Sequence, residues 1–443
     1  MEEILEVLKS GQYLKLRELL TGMNVADIAA YMEEMEMSDL LKLFRILPKS
    51  IAADVFSYLE IETEQYIITS MSDRDAANII DNLMADDATD LLEEMPANVV
   101  KRLLAHASPE TRRAINHLLR YPEDSAGSIM TVEFVDLKES LTVKEAVEKI
   151  RKVGVDSETI NICYVLDQRR TLIGTVALRY LLLSPLDALI GDIMHENVIS
   201  LHTTMDQEEV ASIFKKYDFT SMPVVDNEDR LVGIITVDDV VDILVEETTE
   251  DIEKMAAIVP SDKPYMKTSV IDAWKKRIPW LLLLMISATF TGRIIASFED
   301  ALSKYVVLTA FIPMLMDTGG NAGGQASAII IRGLSLDEIE FKDWLTVVWK
   351  EIRTAMLCGL TLAICNFAKI MLVERVELQV AIVVCSTLFM AVIVAKIVGS
   401  TLPMLAKKIG MDPAVMASPF ITTIVDAISL LIYFRIATIT LGI

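Results

Sequence analysis

The sequence predicts a multi-domain protein with an all-α superhelical N-terminal domain, an α/β domain pair, a connector helix and an α-helical transmembrane bundle of five helices. Three observations carry this prediction. Apolar residues recur every three or four positions in short segments up to residue 125. Residues 126–250 contain one pattern of helices and strands twice, and long apolar segments follow one another from residue 278 onward. The predicted boundaries are 1–125, 126–250, 251–277 and 278–443.

The overall charge of −23 is unevenly distributed along the chain. Up to Asp262 there are 24 Lys and Arg against 51 Asp and Glu, a net charge of −27, whereas the remainder has 17 against 13, a net charge of +4. Nucleic acid needs a basic face and is therefore not an expected partner. The acidic half favours cations, and the alternative is an acidic surface that serves only solubility.

The sequence contains no pattern that indicates an enzyme. It has no P-loop, HExxH motif or nucleophile–base constellation. The four cysteines lack the CxxC spacing of a zinc site, and no disulfide framework is indicated. The start, MEEILE, is acidic and lacks a signal peptide, so we expect the N-terminal domains to lie in the cytoplasm.

The N-terminal domain is predicted to be a stack of short amphipathic helices, similar to a small solenoid. Asp86 and Asp90 lie four residues apart on one helical face, where like charges repel each other. A divalent cation would relieve that repulsion, and the alternative is a solvated helix start favoured by the helix dipole. The predicted helices are 26–36, 38–46, 50–59, 73–84, 88–95, 97–105 and 109–120.

The duplicated segment resembles a pair of CBS domains. LTVKEAVEKI (141–150) parallels MDQEEVASIF (205–214), and each copy continues through strand, turn and strand into a helix. In the second copy, Thr236 and Asp239 match the ribose-contacting pattern of adenine-nucleotide sites, and the alternative is a pair that binds no nucleotide. The second copy is also rich in carboxylates, which suit hard divalent cations. These acids include Asp206, Glu208, Asp218, Asp239 and Asp242.

A connector helix with an acidic start is predicted to join the soluble and membrane halves. Its acids include Glu247, Glu250 and Asp251, and a second amphipathic helix at 269–277 leads into the first membrane span. The connector lacks the Gly/Ser composition of a flexible linker. A stiff connector can transmit force between the halves, and the alternative is a plain spacer.

Five membrane spans are predicted, and the second contains a glycine-rich stretch, DTGGNAGGQ (317–325). We expect this stretch to interrupt its helix and to line protein or a wet cavity, and its small residues permit close helix packing. Basic loops alternate with more acidic ones, which by the positive-inside rule places the C-terminus outside a plasma (inner) membrane. The predicted spans are 278–297, 303–331, 354–373, 378–406 and 414–441.

The last span carries a carboxylate, Asp426, in its middle. Burying a charge at that depth costs at least a few kcal/mol, so such residues usually have a function. Thr422 and Thr423 share its helical face. A pore helix that offers a carboxylate to a cation is one interpretation, and pairing with a membrane-embedded base such as Lys396 is the other.

Taken together, these parts resemble the MgtE family of magnesium channels and transporters. The resemblance rests on YPEDSAG (121–127) before the CBS pair, on Pro313 followed by TGGNAGGQ (318–325), and on Asp412-Pro413 followed by Pro419 and Asp426. It covers nearly the whole chain.

The resemblance implies a homodimer in the lipid bilayer whose pore runs between the subunits. Asp426 is then the pore ligand of hydrated Mg²⁺, and the connector, called the plug helix in this family, closes the pore when Mg²⁺ binds acidic interfaces of the soluble half. The matching sensor acids are Asp86, Asp90, Asp206, Glu208, Asp218, Asp239, Asp242, Glu247, Glu250 and Asp251. The expected pore-lining residues are Asn321, Gln325, Pro419, Thr422 and Thr423.

Two alternatives remain open at this point. One is a CBS-type sensor of adenine nucleotides such as ATP, with a membrane anchor instead of a pore. The other is a broader transporter of divalent cations, including Mn²⁺, Co²⁺ or Ca²⁺, and the sequence does not separate channels from carriers.

Overall fold

The structure is a computed structural model that describes residues 2–261, 265–416 and 418–442. The chain divides into two compact units, one up to Leu244 and one from Val245 onward.

The N-terminal region consists of short helices around one apolar core. Helix α3 contacts α5, α5 contacts α7 and α7 contacts α9, and this contact between alternate helices is typical of a superhelix. Ser72 and Ser108 each accept a backbone N–H at a helix start, which satisfies a donor that the helix leaves unpaired. The seven predicted helices are all present. The helices are α1 (Glu2–Lys9), α2 (Tyr13–Thr21), α3 (Val25–Glu33), α4 (Met37–Ile46), α5 (Lys49–Phe56), α6 (Ile61–Thr69), α7 (Asp73–Ile80), α8 (Ala85–Glu93), α9 (Ala97–His106) and α10 (Pro109–Leu118).

The predicted duplication is present as two three-stranded sheets of the same topology. In each sheet the first strand is parallel to the second, and the second is antiparallel to the third. The elements are β1 (Phe134–Lys138), α11 (Val143–Val153), β2 (Thr159–Leu166), β3 (Leu172–Ala177), α12 (Leu178–Leu183), α13 (Ile190–Ile193), β4 (Leu201–His202), α14 (Gln207–Tyr217), β5 (Ser221–Val225), β6 (Leu231–Thr236) and α15 (Val237–Met255).

The two copies pack together and against the helical region. Tyr164 and Ser221, one from each copy, share a buried hydrogen bond between their hydroxyl oxygens at 3.1 Å. Ala85, at the start of α8, lies in one apolar cluster with Met222 and Val240 of the second copy. This packing brings the acidic start of α8 to the start of α15.

The second unit consists of long helices. The helix predicted at 269–277 is the first part of α16, whose start is capped by Ser269, and it continues through Pro279 without a break. The helices are α16 (Val270–Ser297), α17 (Glu299–Lys304), α18 (Ile312–Ser335), α19 (Trp344–Lys369), α20 (Leu378–Lys408) and α21 (Ser418–Leu441). Short 3₁₀ helices lie at Val306–Phe311, Phe341–Asp343 and Pro413–Met416, and a π-helical turn lies at Ile370–Glu374.

Four helical segments among the described residues are long and apolar enough to cross a membrane, namely Val270–Ser297, Phe341–Glu374, Leu378–Lys408 and Pro413–Leu441. They coincide with four of the five predicted spans. The remaining predicted span, 303–331, comprises the last two residues of α17, a 3₁₀ helix and most of α18, which carries the polar and glycine-rich stretch.

The predicted break in the glycine-rich stretch is wrong, because α18 is helical from Ile312 to Ser335. The reason is tertiary contact. An added Cβ on Gly399 of α20 would lie 2.2 Å from the Gly323 carbonyl oxygen, and one on Gly320 would lie 2.8 Å from Thr422 Cγ2. The glycines therefore let α18 approach α20 and α21 closely, which offsets their weak helix propensity. The expectation of close packing is confirmed.

Candidate ion-transport and regulatory sites

Asp426 lies half-buried on α21, and its Oδ1 is buried without a hydrogen-bond partner among the described residues. One turn further on, Ser429 is 1% exposed, and its buried hydroxyl also has no hydrogen-bond partner among the described residues. A buried polar atom without a partner costs free energy unless water or an ion reaches it. Asp317 of α18 is close enough for its charge to act on Asp426. This corner of the membrane unit thus presents oxygen atoms that lack protein donors.

The interpretation in which Lys396 neutralises Asp426 is wrong. Lys396 Nζ lies 3.4 Å from Glu351 Oε2 of α19, and this pair is buried. Within the part of the chain that the structure describes, Asp426 forms no salt bridge. The carboxylate is therefore available to a cation.

The predicted pore-lining residues divide into two groups. Asn321 and Gln325 line an open cavity of about 510 Å³ between α18, α19 and α20, together with Asp317. The α21 residues do not line that cavity. Thr422 packs against Gly320, and the Thr423 hydroxyl donates to the Pro419 carbonyl oxygen at 3.1 Å. Asp426 and the cavity thus occupy different positions on the same helical bundle.

In the first unit, α8 brings carboxylates into contact with the start of α15. Asp86 is buried, and its pKa lies well above the usual value because of burial and the nearby charges of Asp87 and Asp239. Burial and the Asp239 charge also raise the pKa of Asp87 and that of Glu158, each to about 7. Asp87 and Glu158 therefore bind protons far more readily near neutral pH than ordinary carboxyl groups do.

The predicted pair Asp86 and Asp90 does not form one site. Asp90 is exposed, and its charge acts on Glu64, whose pKa burial and neighbouring acids raise to about 9. Sequence reasoning missed Glu64, Asp87 and Glu158. Asp87 stands beside Asp86 and could have been included, whereas Glu158 reaches the cluster only through the tertiary fold.

The two residues of the proposed nucleotide-binding element, Thr236 and Asp239, form a hydrogen bond with each other. The Thr236 hydroxyl donates to Asp239 Oδ2 at 2.7 Å, and Thr236 is 5% exposed. Burial raises the pKa of Asp239, Thr236 opposes the rise, and the charges of Asp238 and Asp242 add to it. Asp239 thus belongs both to this element and to the acidic cluster.

The other predicted acids of the CBS pair are exposed, and Asp206, Glu208 and Asp218 lie at the ends of α14. Asp206 caps α14 by accepting the Glu208 N–H at 2.9 Å, and Asp218 ends the same helix in a left-handed conformation with φ of 54°. Asp242 is exposed on α15. Local helix capping accounts for Asp206 without a metal.

The connector acids take part in a network within the second unit. Lys254 Nζ lies 2.6 Å from Glu250 Oε1 and 2.6 Å from Asp412 Oδ2. Burial opposes protonation of Lys254, but hydrogen bonds to these two acids raise its pKa. Asp251 accepts a hydrogen bond from the Ser335 hydroxyl at 3.2 Å, and burial raises its pKa despite that bond. Glu247 lies half-buried on the same helix.

Among the described residues, no group of three or more His, Cys, Asp or Glu side chains is arranged to hold a metal ion. A divalent cation at these acids would thus need ligands from water, from backbone oxygens or from a second copy of the chain.

Comparison with known proteins defines the class of protein first. Residues 312–436 match the family described as MgtE, divalent cation transporter. Residues 23–124 match the MgtE intracellular N domain, and residues 190–246 match the CBS domain. The chain is thus of the divalent cation transporter class.

The particular family follows from full-length relatives. The chain is 36% identical over 440 residues to the magnesium transporter MgtE of Thermus thermophilus, which covers 98% of this chain and 97% of the relative. It is 35% identical over 439 residues to the magnesium transporter MgtE of Bacillus subtilis, covering 96% of each. The chain belongs to the MgtE family.

Solved structures resemble the soluble half. A crystal structure of the soluble part of a magnesium transporter matches with a TM-score of 0.53 and 34% identity, covering 56% of this chain and 97% of that one. The cytosolic domain of the Mg²⁺ channel MgtE in complex with ATP matches with a TM-score of 0.52 and 37% identity, covering 54% and 98%. The expected N-terminal and CBS folds are confirmed.

Proposed function

We propose that this chain is a Mg²⁺ channel or transporter for Mg²⁺ uptake, with Asp426 as the pore ligand. The observation that carries the proposal is the buried Asp426 Oδ1, which has no partner among the described residues, in a unit where the membrane-helix lysine Lys396 pairs with Glu351. Mg²⁺ dehydrates reluctantly and usually keeps several waters. One carboxylate per subunit suits such a hydrated ion, since it need supply only outer contacts.

The arrangement we propose is a homodimer in the plasma membrane, with five spans, cytoplasmic N-terminal domains and an external C-terminus. In a dimer, two Asp426 carboxylates and the α18 residues Asn321 and Gln325 would line one path. The domain limits we propose are 1–125, 126–250, 251–277 and 278–443. Relatives named as magnesium transporters, which match over nearly their full length, support the transport function on which this arrangement is built.

The test is Mg²⁺ flux into liposomes that contain the purified full-length protein, with Mn²⁺, Co²⁺ and Ca²⁺ as competitors. Asp426→Ala should abolish flux while folding and dimerisation persist. Thr438→Ala is a matched control on the same helix, because among the described residues its hydroxyl donates only to the Phe434 carbonyl oxygen, at 2.8 Å. Unchanged flux in Asp426→Ala would exclude this residue as the pore ligand, and preferred Mn²⁺ or Co²⁺ would favour the broader transporter.

Gating by cytoplasmic Mg²⁺ is the regulatory part of the proposal. Asp86, Asp87 and Asp239 repel one another where α8 meets α15. A bound divalent cation would turn that repulsion into attraction and would favour the closed arrangement. A state that binds the cation more tightly is favoured as its concentration rises. The acids of the connector, Glu250 and Asp251, would extend the same response toward the pore.

A second ligand, an adenine nucleotide such as ATP, is proposed for the CBS pair. The preformed Thr236–Asp239 hydrogen bond and the ATP complex of a 37% identical cytosolic domain support it. Calorimetry with ATP should register heat of binding, which Thr236→Ala should lose and Ser157→Ala should keep. Within the described ranges, the Ser157 hydroxyl donates only to the Val153 carbonyl oxygen. Equal binding by Thr236→Ala, or no heat at all, would contradict this site.

A further inference from the structure

The membrane unit contains a buried ion pair that the proposed transport mechanism does not use. Lys396 lies on α20 and Glu351 on α19, and their side chains are 6% and 10% exposed. Nζ and Oε2 are 3.4 Å apart, which is long for a charge-assisted hydrogen bond. Neither side chain has another hydrogen-bond or ion-pair partner within the described ranges. The ammonium group therefore keeps donor capacity for other groups.

Lys396 lines the cavity of about 510 Å³ between α18, α19 and α20. Asp317, Asn321 and Gln325 of α18 line the same cavity, as does Cys358 of α19. Glu351 does not line it, so this carboxylate lies behind the ammonium group. Among the described residues that line the cavity, the charged groups are thus the Asp317 carboxylate and the Lys396 ammonium group, which has its own counter-ion.

Stability alone does not explain this pair. Removing two charges from water is costly, and an apolar pair of similar volume is often as stable or more stable. Ionisable groups within membrane helices usually serve a function. An uncompensated ammonium group on the wall would repel a divalent cation strongly in a poorly screened cavity.

We propose that Glu351 neutralises Lys396 and thereby keeps the cavity beside Asn321 and Gln325 attractive to divalent cations through Asp317. Glu351 is then a positioning residue that acts through Lys396 and does not touch the ion. The inference rests on the proposed transport function. Its electrostatic content can be measured without any transport.

The exposed Cys358 on the cavity wall is a native reporter of the local potential. The full-length protein with Cys365→Ser keeps Cys358 as the exposed thiol, because Cys163 and Cys385 are buried. Mass spectrometry measures how fast the Cys358 thiol reacts with a cationic methanethiosulfonate (ethyltrimethylammonium) and with an anionic one (ethylsulfonate). The quantity compared between variants is the ratio of the cationic rate to the anionic rate. A more positive cavity slows the cationic reagent and speeds the anionic one.

Glu351→Gln should lower the cation-to-anion ratio about fivefold or more, since it exposes the Lys396 charge. Lys396→Met should raise the ratio by a similar factor, and the double variant should return within about twofold of the parent. Thermal unfolding and dimer size provide the folding control. If Glu351→Gln does not fold, the modification ratios of Lys396→Met and of the double variant still test the proposal. Ratios unchanged by both Lys396→Met and Glu351→Gln would overturn the proposal.

Mg²⁺ flux into liposomes completes the test. Glu351→Gln should slow flux about tenfold, and adding Lys396→Met to it should restore flux, because the net charge of the pair is again zero. A double variant that folds and has the parental thiol ratio, yet is as slow as Glu351→Gln, would overturn the role in transport. If the parent protein carries no Mg²⁺, the transport proposal fails, and the thiol ratios still decide whether Glu351 sets the potential of the cavity.

Discussion

In the first unit, Asp87 and Glu158 lie among several other carboxylates, whereas in the second unit Asp426 has one neighbouring acid, Asp317. The crowded acids hold protons near neutral pH, since burial and repulsion both disfavour their charged forms. Asp426 instead has a buried oxygen that accepts no hydrogen bond from the part of the chain that the structure describes. A cluster of acids suits a sensor whose state changes when a cation binds. A less crowded carboxylate such as Asp426 suits a site that a hydrated cation enters and leaves.

The largest expected effect is the difference in Mg²⁺ flux between variants in which one acid of each region is neutralised. Asp426→Asn should lower maximal Mg²⁺ flux about 100-fold or more, because an amide offers no net charge to a divalent cation. Asp87→Asn, the matched change in the crowded cluster, should leave maximal flux unchanged and should raise the Mg²⁺ concentration needed to stop it. Liposome flux at several internal Mg²⁺ concentrations measures both. Equal losses of maximal flux would remove the distinction between the two regions.

The crowded cluster should make the first unit sensitive to pH. The pKa values of Asp87 and Glu158 are raised to about 7, so their contribution to stability is fully present below the ordinary carboxyl range and is lost as pH rises through 7. Without Mg²⁺, amides of α8 should exchange hydrogen about tenfold faster at pH 8 than at pH 6, after correction for intrinsic rates.

Added Mg²⁺ should remove most of this pH dependence, because the cation replaces the protons. Asp87→Asn should weaken the dependence, and Asp54→Asn, a change of an exposed acid away from the cluster, should not. Protection of α8 that does not vary between pH 6 and pH 8 would mean that these carboxylates do not repel one another as the fold indicates.

A smaller effect is expected at Lys254, which joins Glu250 and Asp412. The ammonium group already neutralises acids that Mg²⁺ would otherwise bridge, so it competes with the ion. Lys254→Met should lower the Mg²⁺ concentration for half-closure about threefold. Lys275→Met, which removes an exposed pair with Asp272, is the control. An increase in the closing concentration would mean that Lys254 supports the closed arrangement instead.

Features visible in a short stretch of sequence were predicted correctly. The helices of the N-terminal region and the duplicated strands follow from local periodicity. Asp426 is conspicuous as a charge in an apolar segment, and its role as a pore ligand stays a prediction. The partner of Lys396 could not be predicted, because Glu351 comes from another helix 45 residues away. Glu158 joins the acidic cluster for the same reason.

The wrong prediction at the glycine-rich stretch has the same origin. Glycine propensity alone favours a break, but the contact between Gly323 and Gly399 depends on α20, which lies far along the chain. The number of membrane spans remains a prediction, since the polar stretch of α18 makes the second predicted span, 303–331, less apolar. Predictions from local sequence were correct where a single helix or strand determines the structure. They failed where the structure depends on contact between elements that are distant in the chain.

The most direct test of the account is the response of the triple variant Asp239→Asn, Glu250→Gln and Asp251→Asn to internal Mg²⁺. A shift from mostly open to mostly closed needs roughly 5 kcal/mol of differential binding, which several weak acidic sites can supply together. The triple variant should keep conducting through Asp426 at Mg²⁺ concentrations that close the parent, with maximal flux retained. If it closes at the parental Mg²⁺ concentration, these acids do not sense the ion, and the link between the acidic cluster, the connector and the pore is wrong.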